Sequence, residues 1–149
     1  MRVIKFRGKT SRGNWLYGYY SKNLNGDAFI LCDKGEFVVE EETVGQFTGL
    51  LDNADKEIYE GDIVYCECEW FTSSEDNIFP PEKKWKIGKI TGEVIWNQDD
   101  LQFEIKRPSG KLKLLSNNTI PLAYFSKAWN RSNDSIVVIG NINDNPELI

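Results

Sequence analysis

Apolar and polar residues alternate in short runs over the first third of the chain. This period-two alternation predicts β-strands with one face toward a core. In the first run, Ile4 and Phe6 lie on one predicted face and Lys5 on the other. The Asn25-Gly26 pair is a strong hairpin signal because both positions favour positive φ. The predicted strands are Val3–Arg7, Trp15–Tyr20, Ala28–Cys32 and Phe37–Val39. Residues 1–45 are therefore predicted to form an N-terminal antiparallel meander.

The stretch Thr43–Val64 joins this meander to the rest of the chain. Its side chains Val44, Phe47, Ile58 and Tyr59 are predicted to be buried. Residues 52–56 form a turn by composition, since Asp and Asn side chains bond their own backbone. Gly61 is predicted at a tight corner that needs positive φ. The acids of the stretch are expected to face water: Asp52, Asp55, Glu57, Glu60 and Asp62.

After residue 62 the pattern predicts more strands and a single helix. Leu122, Phe125 and Trp129 recur at helical spacing, so a short amphipathic helix is predicted over Thr119–Asn130, with Thr119 as N-cap. The continuously apolar run Ile136–Ile139 is predicted to be a central strand. A long loop is predicted over Phe71–Lys83. The other predicted strands are Ile63–Trp70, Lys86–Trp96 and Gln102–Lys106.

These elements predict a mainly β, antiparallel fold with one short helix. The 149 residues suffice for one domain. We predict a single domain over 1–149, made of the β-meander lobe (1–45) and a small barrel-like lobe (46–149). The barrel is predicted to be of the Src-homology-3 type, because a glycine corner precedes a series of short strands.

Composition narrows the function classes. The formal net charge of −5 argues against broad binding to phosphate backbones. Residues 1–75 hold 8 basic and 14 acidic side chains and the remainder 10 and 9, so any polyanion contact is expected in the second half. The chain contains no histidine, which excludes Ser-His-Asp and Cys-His catalysis and imidazole zinc ligands. Three cysteines, the lack of an apolar signal segment and the lack of a long apolar run predict a cytoplasmic location.

Two clusters carry candidate chemistry. Cys66 and Cys68 share a predicted face with Val64 and Trp70, so we interpret them as small buried hydrophobes and predict no metal site. A second cluster combines lysines with an aromatic ring, as channels for single-stranded nucleic acid do. The alternative for this cluster is an edge strand protected by lysines. Its members are Lys83, Lys84, Trp85, Lys86 and Lys89.

Five runs together resemble the YopX family of phage and prophage proteins, and they span nearly the whole chain. They are I-K-F-R-G-K (Ile4–Lys9), N-W-L-Y-G-Y (Asn14–Tyr19), T-V-G-Q-F-T-G-L (Thr43–Leu50), K-E-I-Y-E-G-D-I-V (Lys56–Val64) and I-G-N-I-N-D-N-P-E-L (Ile139–Leu148). Ala54-Asp55 departs from the pattern, because Asn-Gly is common there. The motifs assign a structural role to Gly45, Gly49, Tyr59, Gly61, Asp62, Gly140, Asn141 and Pro146.

The resemblance implies a mainly β protein encoded by a bacteriophage or prophage and located in the bacterial host cytoplasm. It carries over no activity, no catalytic residue and no cofactor. We therefore expect a non-enzymatic accessory protein that binds protein partners and itself, since the five tryptophans and six tyrosines suit an interface. The alternative is a nucleic-acid-binding protein that uses the lysine–tryptophan cluster. A third expectation is an enzyme that uses carboxylates with a divalent ion.

Overall fold

A computed structural model describes residues 3–73, 83–107, 119–125 and 135–149; the side chains at 68–73, 83–87 and 124 lie outside that description. The described residues form ten strands and two short 3-10 helices, and all strand pairs are antiparallel. The mainly β, antiparallel prediction is confirmed. The strands are β1 (Phe6–Lys9), β2 (Trp15–Lys22), β3 (Ala28–Cys32), β4 (Gly35–Leu51), β5 (Glu57–Tyr59), β6 (Asp62–Ser73), β7 (Lys83–Asn97), β8 (Gln102–Lys106), β9 (Thr119–Pro121) and β10 (Ser135–Asn141), and the 3-10 helices are Leu122–Phe125 and Pro146–Leu148.

The first sheet has the order β1-β2-β3-β4-β5, and β1 also pairs with β4, so β1 to β4 form a closed ring of neighbours. Strand β2 serves two partners, because it pairs with β1 up to Gly18 and with β3 from Tyr19 onward. A Cβ atom on Gly18 would overlap the carbonyl oxygen of Leu31, so this change of partner requires glycine. Residue 45, the predicted limit of the meander lobe, lies within β4. One cluster of apolar side chains lies between these strands: Phe6, Leu16, Tyr20, Ala28, Ile30, Val39 and Val44.

The second sheet has the order β10-β6-β7-β8-β9. Its core comprises Ile58, Val64, Cys66, Val94, Phe103, Ile105, Leu122, Ile136 and Val138. Cys66 is buried as predicted. The prediction that Ile136–Ile139 forms a central strand is wrong, because β10 lies at the edge of the described sheet. Its side chains alternate accordingly: Ile136 and Val138 face the core, whereas Val137 and Ile139 are exposed. The Src-homology-3 type of this lobe stays a prediction.

The segment 43–64 connects the two sheets, because its adjacent residues Ile58 and Tyr59 pack against different sheets. Ile58 belongs to the core of the second sheet, whereas Tyr59 packs against Phe47 at a centroid distance of 5.5 Å. Both are buried, as predicted. The expectation that the acids of this segment face water is wrong for Asp52 and Asp62, which are 5% and 1% exposed. Burial is possible there because Asp52 accepts three backbone N–H groups, whereas Asp62 accepts one and pairs with Arg7.

Two predicted boundaries also need correction. The predicted helix does not begin at Thr119, because Thr119–Pro121 pairs with β8 and Ile120 is buried opposite Ile105. A 3-10 helix follows at Leu122–Phe125, and the rest of the predicted helix, 126–134, lies outside the described residues. The predicted loop over 71–83 is shorter at its start, since β6 continues to Ser73. Within the described ranges, no helix has the length and apolar composition needed to span a bilayer.

Candidate interaction site

Three basic side chains project from one side of the chain that enters and forms β1. They occupy alternate positions, so the period of an extended chain places them on one face. Each meets an acid from a different part of the protein, and we refer to the three contacts as the ion-pair column. The pairs are Lys5 with Glu57 at 2.6 Å, Arg7 with Asp62 at 2.5 Å and Lys9 with Asp144 at 2.5 Å. The column therefore ties β1 to β5, to β6 and to the C-terminal turn.

The middle pair is the most buried contact of the column. The Arg7 guanidinium also donates to the carbonyl oxygen of Glu60 at 3.1 Å, and it lies between the rings of Trp15 and Tyr59, at 4.8 and 5.2 Å from their centroids. Asp62 accepts a second bond from the Tyr59 backbone N–H at 2.7 Å. Burial raises the pKa of Asp62, and the charge of Arg7 opposes that rise. This pair fixes the start of β6, and Arg7 Nε is buried without a hydrogen-bond partner among the described residues.

The pair nearest the entry to β1 contains a tyrosine as a third member. The Tyr59 hydroxyl donates to Glu57 Oε2 at 2.6 Å, the same oxygen that Lys5 contacts. Burial and this bond raise the pKa of Tyr59, so it stays a neutral phenol. Burial alone would raise the pKa of Glu57, but the bonds from Lys5 and Tyr59 outweigh it and lower that pKa. The exposed Tyr17 ring packs edge-on against Tyr59, with 5.5 Å between the ring centroids.

The last pair closes the column at the C-terminal turn. Asn141 Oδ1 accepts the backbone N–H groups of Asn143 and Asp144, both at 3.0 Å, which shapes the turn. Asp144 also accepts bonds from Asn141 Nδ2 at 2.9 Å and from Trp15 Nε1 at 2.7 Å. The bonds from Asn141, Lys9 and Trp15 lower the pKa of Asp144 to about 2. The turn is thus attached to β1 and β2 by an ionised carboxylate.

A groove of about 620 Å³ opens on the first sheet beside the first pair. It lies where β2 changes partner at Gly18, between the segment that precedes β1 and the end of β3. Five apolar side chains of its lining are between 47% and 68% exposed: Val3, Ile4, Tyr17, Tyr19 and Leu31. The lining contains one basic and one acidic side chain, Lys5 and Asp33. An apolar groove with so few charges suits an apolar protein surface better than a strongly charged ligand.

The predicted nucleic-acid cluster is only partly described. The backbone of Lys83–Lys86 lies in β7, while the side chains of Lys83, Lys84, Trp85 and Lys86 lie outside the described residues. Lys89 Nζ lies 3.4 Å from Glu67 Oε1, and its side chain is 68% exposed. Glu67 also accepts a bond from the Tyr65 hydroxyl at 2.7 Å. The charge of Lys89 is therefore partly balanced within its own sheet.

The glycines of the family-like motifs in the middle of the chain occupy demanding backbone positions. A Cβ atom on Gly45 would overlap the carbonyl oxygen of Glu60, so glycine lets β4 approach the corner before β6. Gly49 and Gly61 have φ of 88° and 79°, a region that glycine enters without steric cost. The corner predicted at Gly61 is confirmed. These glycines shape the junction of the two sheets and provide no reactive group.

The C-terminal motif has a similar structural environment. A Cβ atom on Gly140 would lie 2.7 Å from Asn145 Oδ1 and 2.9 Å from Leu148 Cδ1, so the final 3-10 helix packs directly on this glycine. Pro146 begins that helix, where its missing N–H is not required. Together with Asn141, these residues bring the end of the chain back onto the column.

Sequence reasoning missed both the column and the groove. The alternation of Lys5, Arg7 and Lys9 was visible, but it indicated a polar face and did not identify partners more than 50 residues away. Ile4 was predicted on the same face as Phe6, yet it precedes β1 and is exposed. Within 3–73, 83–107, 119–125 and 135–149, no three His, Cys, Asp or Glu residues are placed to hold a metal ion.

Comparison with known proteins gives one informative match. The family model described as YopX protein matches residues 5–149, which is nearly the whole chain. A comparison with curated proteins found no match. The matched range includes all three pairs of the ion-pair column and most of the groove.

Proposed function

The chain belongs to the YopX family, and on that premise we propose that it is a non-enzymatic phage or prophage accessory protein that assembles with copies of itself. The observation that carries this proposal is the groove on the first sheet. Its five exposed apolar side chains include two tyrosines, which are enriched at protein interfaces. Apolar side chains clustered around one groove on a soluble surface commonly mark an interaction site.

The charge distribution supports a second copy as the partner. Copies with a net charge of −5 repel each other, so they associate best through a face that is locally neutral. The groove comes close to this, because Lys5 and Asp33 of its lining and Glu57, which contacts Lys5 at 2.6 Å, carry a net charge of only −1. A polyanion would find no excess of positive charge in it.

The polar groups beside the groove support the non-enzymatic part of the proposal. Lys5 and Glu57 are paired with each other, and Tyr59 donates to Glu57. A general acid or base works best when its pKa lies near the operating pH. The raised pKa of Tyr59 and the lowered pKa of Glu57 hold each in one protonation state.

Static light scattering on the purified protein tests the proposal. We expect a mass of two or more chains at tens of micromolar, with dissociation on dilution. A strict monomer over that range would overturn the self-assembly part. A bacterial cytoplasmic location belongs to the same proposal and is tested by fractionating cells that express the protein.

Nucleic-acid binding through Lys83, Lys84, Trp85, Lys86 and Lys89 is the second candidate, and the exposure of Lys89 favours it. Gel shifts with single-stranded DNA at low salt test it, because the electrostatic contribution is largest there. No shift at low salt would end this candidate. The carboxylate enzyme ranks third, and a thermal shift with Mg²⁺, Mn²⁺ or Ca²⁺ is its screen.

A further inference from the structure

We infer that the groove is the contact face of a two-fold symmetric dimer in which Tyr19 of each copy inserts into the groove of the other. This inference rests on the proposed self-assembly and adds the surface, the symmetry and the anchoring side chain. A two-fold interface requires one patch that is complementary to itself. The patch must therefore carry both a protrusion and a recess.

Tyr19 is the protrusion. At 68% exposure it is the most exposed apolar side chain of the lining. It stands immediately after Gly18, where β2 leaves β1 and joins β3, and its own backbone pairs with Leu31. Tyrosine supplies a large contact area and loses few rotatable bonds on binding, and tyrosines are frequent interface hot spots.

The groove is the recess. Its volume of about 620 Å³ lies within the range of roughly 300–1,000 Å³ that is typical of cavities holding drug-sized molecules. A tyrosine side chain is smaller than such a molecule and fits within this volume. Val3, Ile4 and Leu31 supply apolar walls for its ring.

The two charged side chains of the lining fit the same symmetry. Lys5 belongs to the segment before β1, and Asp33 follows β3, so they belong to opposite sides of the groove. A two-fold axis that runs along the groove exchanges these sides and brings Lys5 of one copy opposite Asp33 of the other. Glu57 holds Lys5 at 2.6 Å and limits the freedom that Lys5 would lose on association.

The experiment compares the dissociation constant of the full chain with that of four variants by sedimentation velocity. Tyr19→Ser and Leu31→Ser remove the anchor and one wall, and each is expected to weaken association by about tenfold or more. Asp33→Lys places two lysines opposite each other and is expected to weaken association most at low salt. Leu24→Ser is the matched control, since Leu24 is fully exposed in the turn after β2 and lies outside the groove lining.

The outcomes separate this inference from the proposed function. A monomeric wild-type protein would remove the self-assembly proposal and the dimer with it. A wild-type oligomer that neither Tyr19→Ser nor Leu31→Ser weakens would leave self-assembly standing and overturn the groove as its interface. Weakening by Leu24→Ser to the same extent would also overturn it. Thermal melting of each variant checks that folding is intact. We expect it to be, because Tyr19 and Leu31 lie outside both cores.

Discussion

Replacement of Asp52 by alanine tests the junction between the two sheets directly. The Asp52 carboxylate accepts three backbone N–H groups: those of Ala54 at 2.8 Å and Lys56 at 2.9 Å, which shape its own turn, and that of Val138 at 3.1 Å. The last bond joins the turn to β10, 86 residues later in the chain. Asp52→Ala removes all three acceptors and leaves the backbone bonds of the turn in place.

The loss in free energy of unfolding depends on whether water can reach each N–H group once the carboxylate is gone. The Val138 bond is buried, so its N–H would lose its partner without access to water, at a cost of about 1–3 kcal/mol. Ala54 and Lys56 are exposed and water can replace the carboxylate, so each of those bonds contributes about 0.5–1 kcal/mol. We expect Asp52→Ala to lower the free energy of unfolding by about 3 kcal/mol, the sum of these contributions. For a chain of this length that corresponds to a fall in Tm of about 6–12 °C.

Urea denaturation at several pH values is the assay, with Asp99→Ala as the control. Asp99 lies exposed in the turn after β7, so its replacement removes the same charge and is expected to change stability by less than about 0.5 kcal/mol. Burial raises the pKa of Asp52, but the three N–H bonds outweigh it and lower that pKa below the ordinary value. The stabilisation is therefore complete above the unfolded-state pKa of about 3.9 and disappears as pH falls through the folded-state pKa. Equal stability of Asp52→Ala and Asp99→Ala near neutral pH would refute the reasoning.

The same replacement is expected to promote aggregation, because the turn covers the free edge of β10. Asn53 completes the cover: its side chain accepts the Ile136 N–H at 2.6 Å, and its backbone N–H donates to the Ile136 carbonyl at 3.0 Å. An uncovered edge strand can pair with another chain. Val137 and Ile139 are already exposed on β10 and would add apolar contacts to such pairing.

Three further predictions concern single side chains. Leu101 is 66% exposed and has φ of 52°, a left-handed conformation that costs energy for any residue with a Cβ atom. Leu101→Gly should therefore raise the free energy of unfolding by about 1 kcal/mol, and Leu101→Ala should not. Equal free energies of unfolding for the two variants would contradict this. Arg7→Met leaves Asp62 buried and unpaired and should lower the free energy of unfolding by about 3–5 kcal/mol. Lys9→Met removes a partly exposed pair and should lower it by about 1 kcal/mol or less. Similar losses of the two variants in urea denaturation would contradict this prediction. Asp144→Asn should cost about 1 kcal/mol at neutral pH after discounting for solvent screening. This difference should begin to shrink below about pH 4 and disappear as pH falls through the folded-state pKa of about 2, and a cost as large at pH 2 as at pH 7 would contradict it.

The strands and corners were predictable because they depend on local pattern. Alternation located β2 and β3 and predicted β1 two to three residues too early, and the positive φ of Gly61 follows from its neighbours in the sequence. The partners of polar groups were not predictable, since a pattern says which way a side chain faces and not what lies opposite. Arg7 and Asp62 are 55 residues apart, and each alone resembles an ordinary surface charge. The family motif placed Asp62 among the structural residues without giving it a partner.

The wrong boundaries have a related cause, because tertiary pairing overrode local propensity. Thr119 and Pro121 carry the signals of a helix start, but Ile120 is buried opposite Ile105 and the segment pairs with β8. The run of apolar residues in β10 resembles a strand covered on both faces. Val137 and Ile139 are nonetheless exposed. Strand β10 is therefore an edge strand, and the turn at 52–56 covers its backbone.

The groove and the junction of the sheets are linked through one short path. Tyr17 lines the groove and packs on Tyr59; Tyr59 precedes the Gly61 corner by two residues, and its neighbour Ile58 enters the core of the second sheet. Lys5, on the other side of the groove, is held by Glu57 in the same strand β5. Glu57 and Tyr59 thus contact groove residues on two sides, through Lys5 and Tyr17, while Ile58 between them packs in the core of the second sheet. A surface held in this way loses little freedom when it binds, which favours association through the groove.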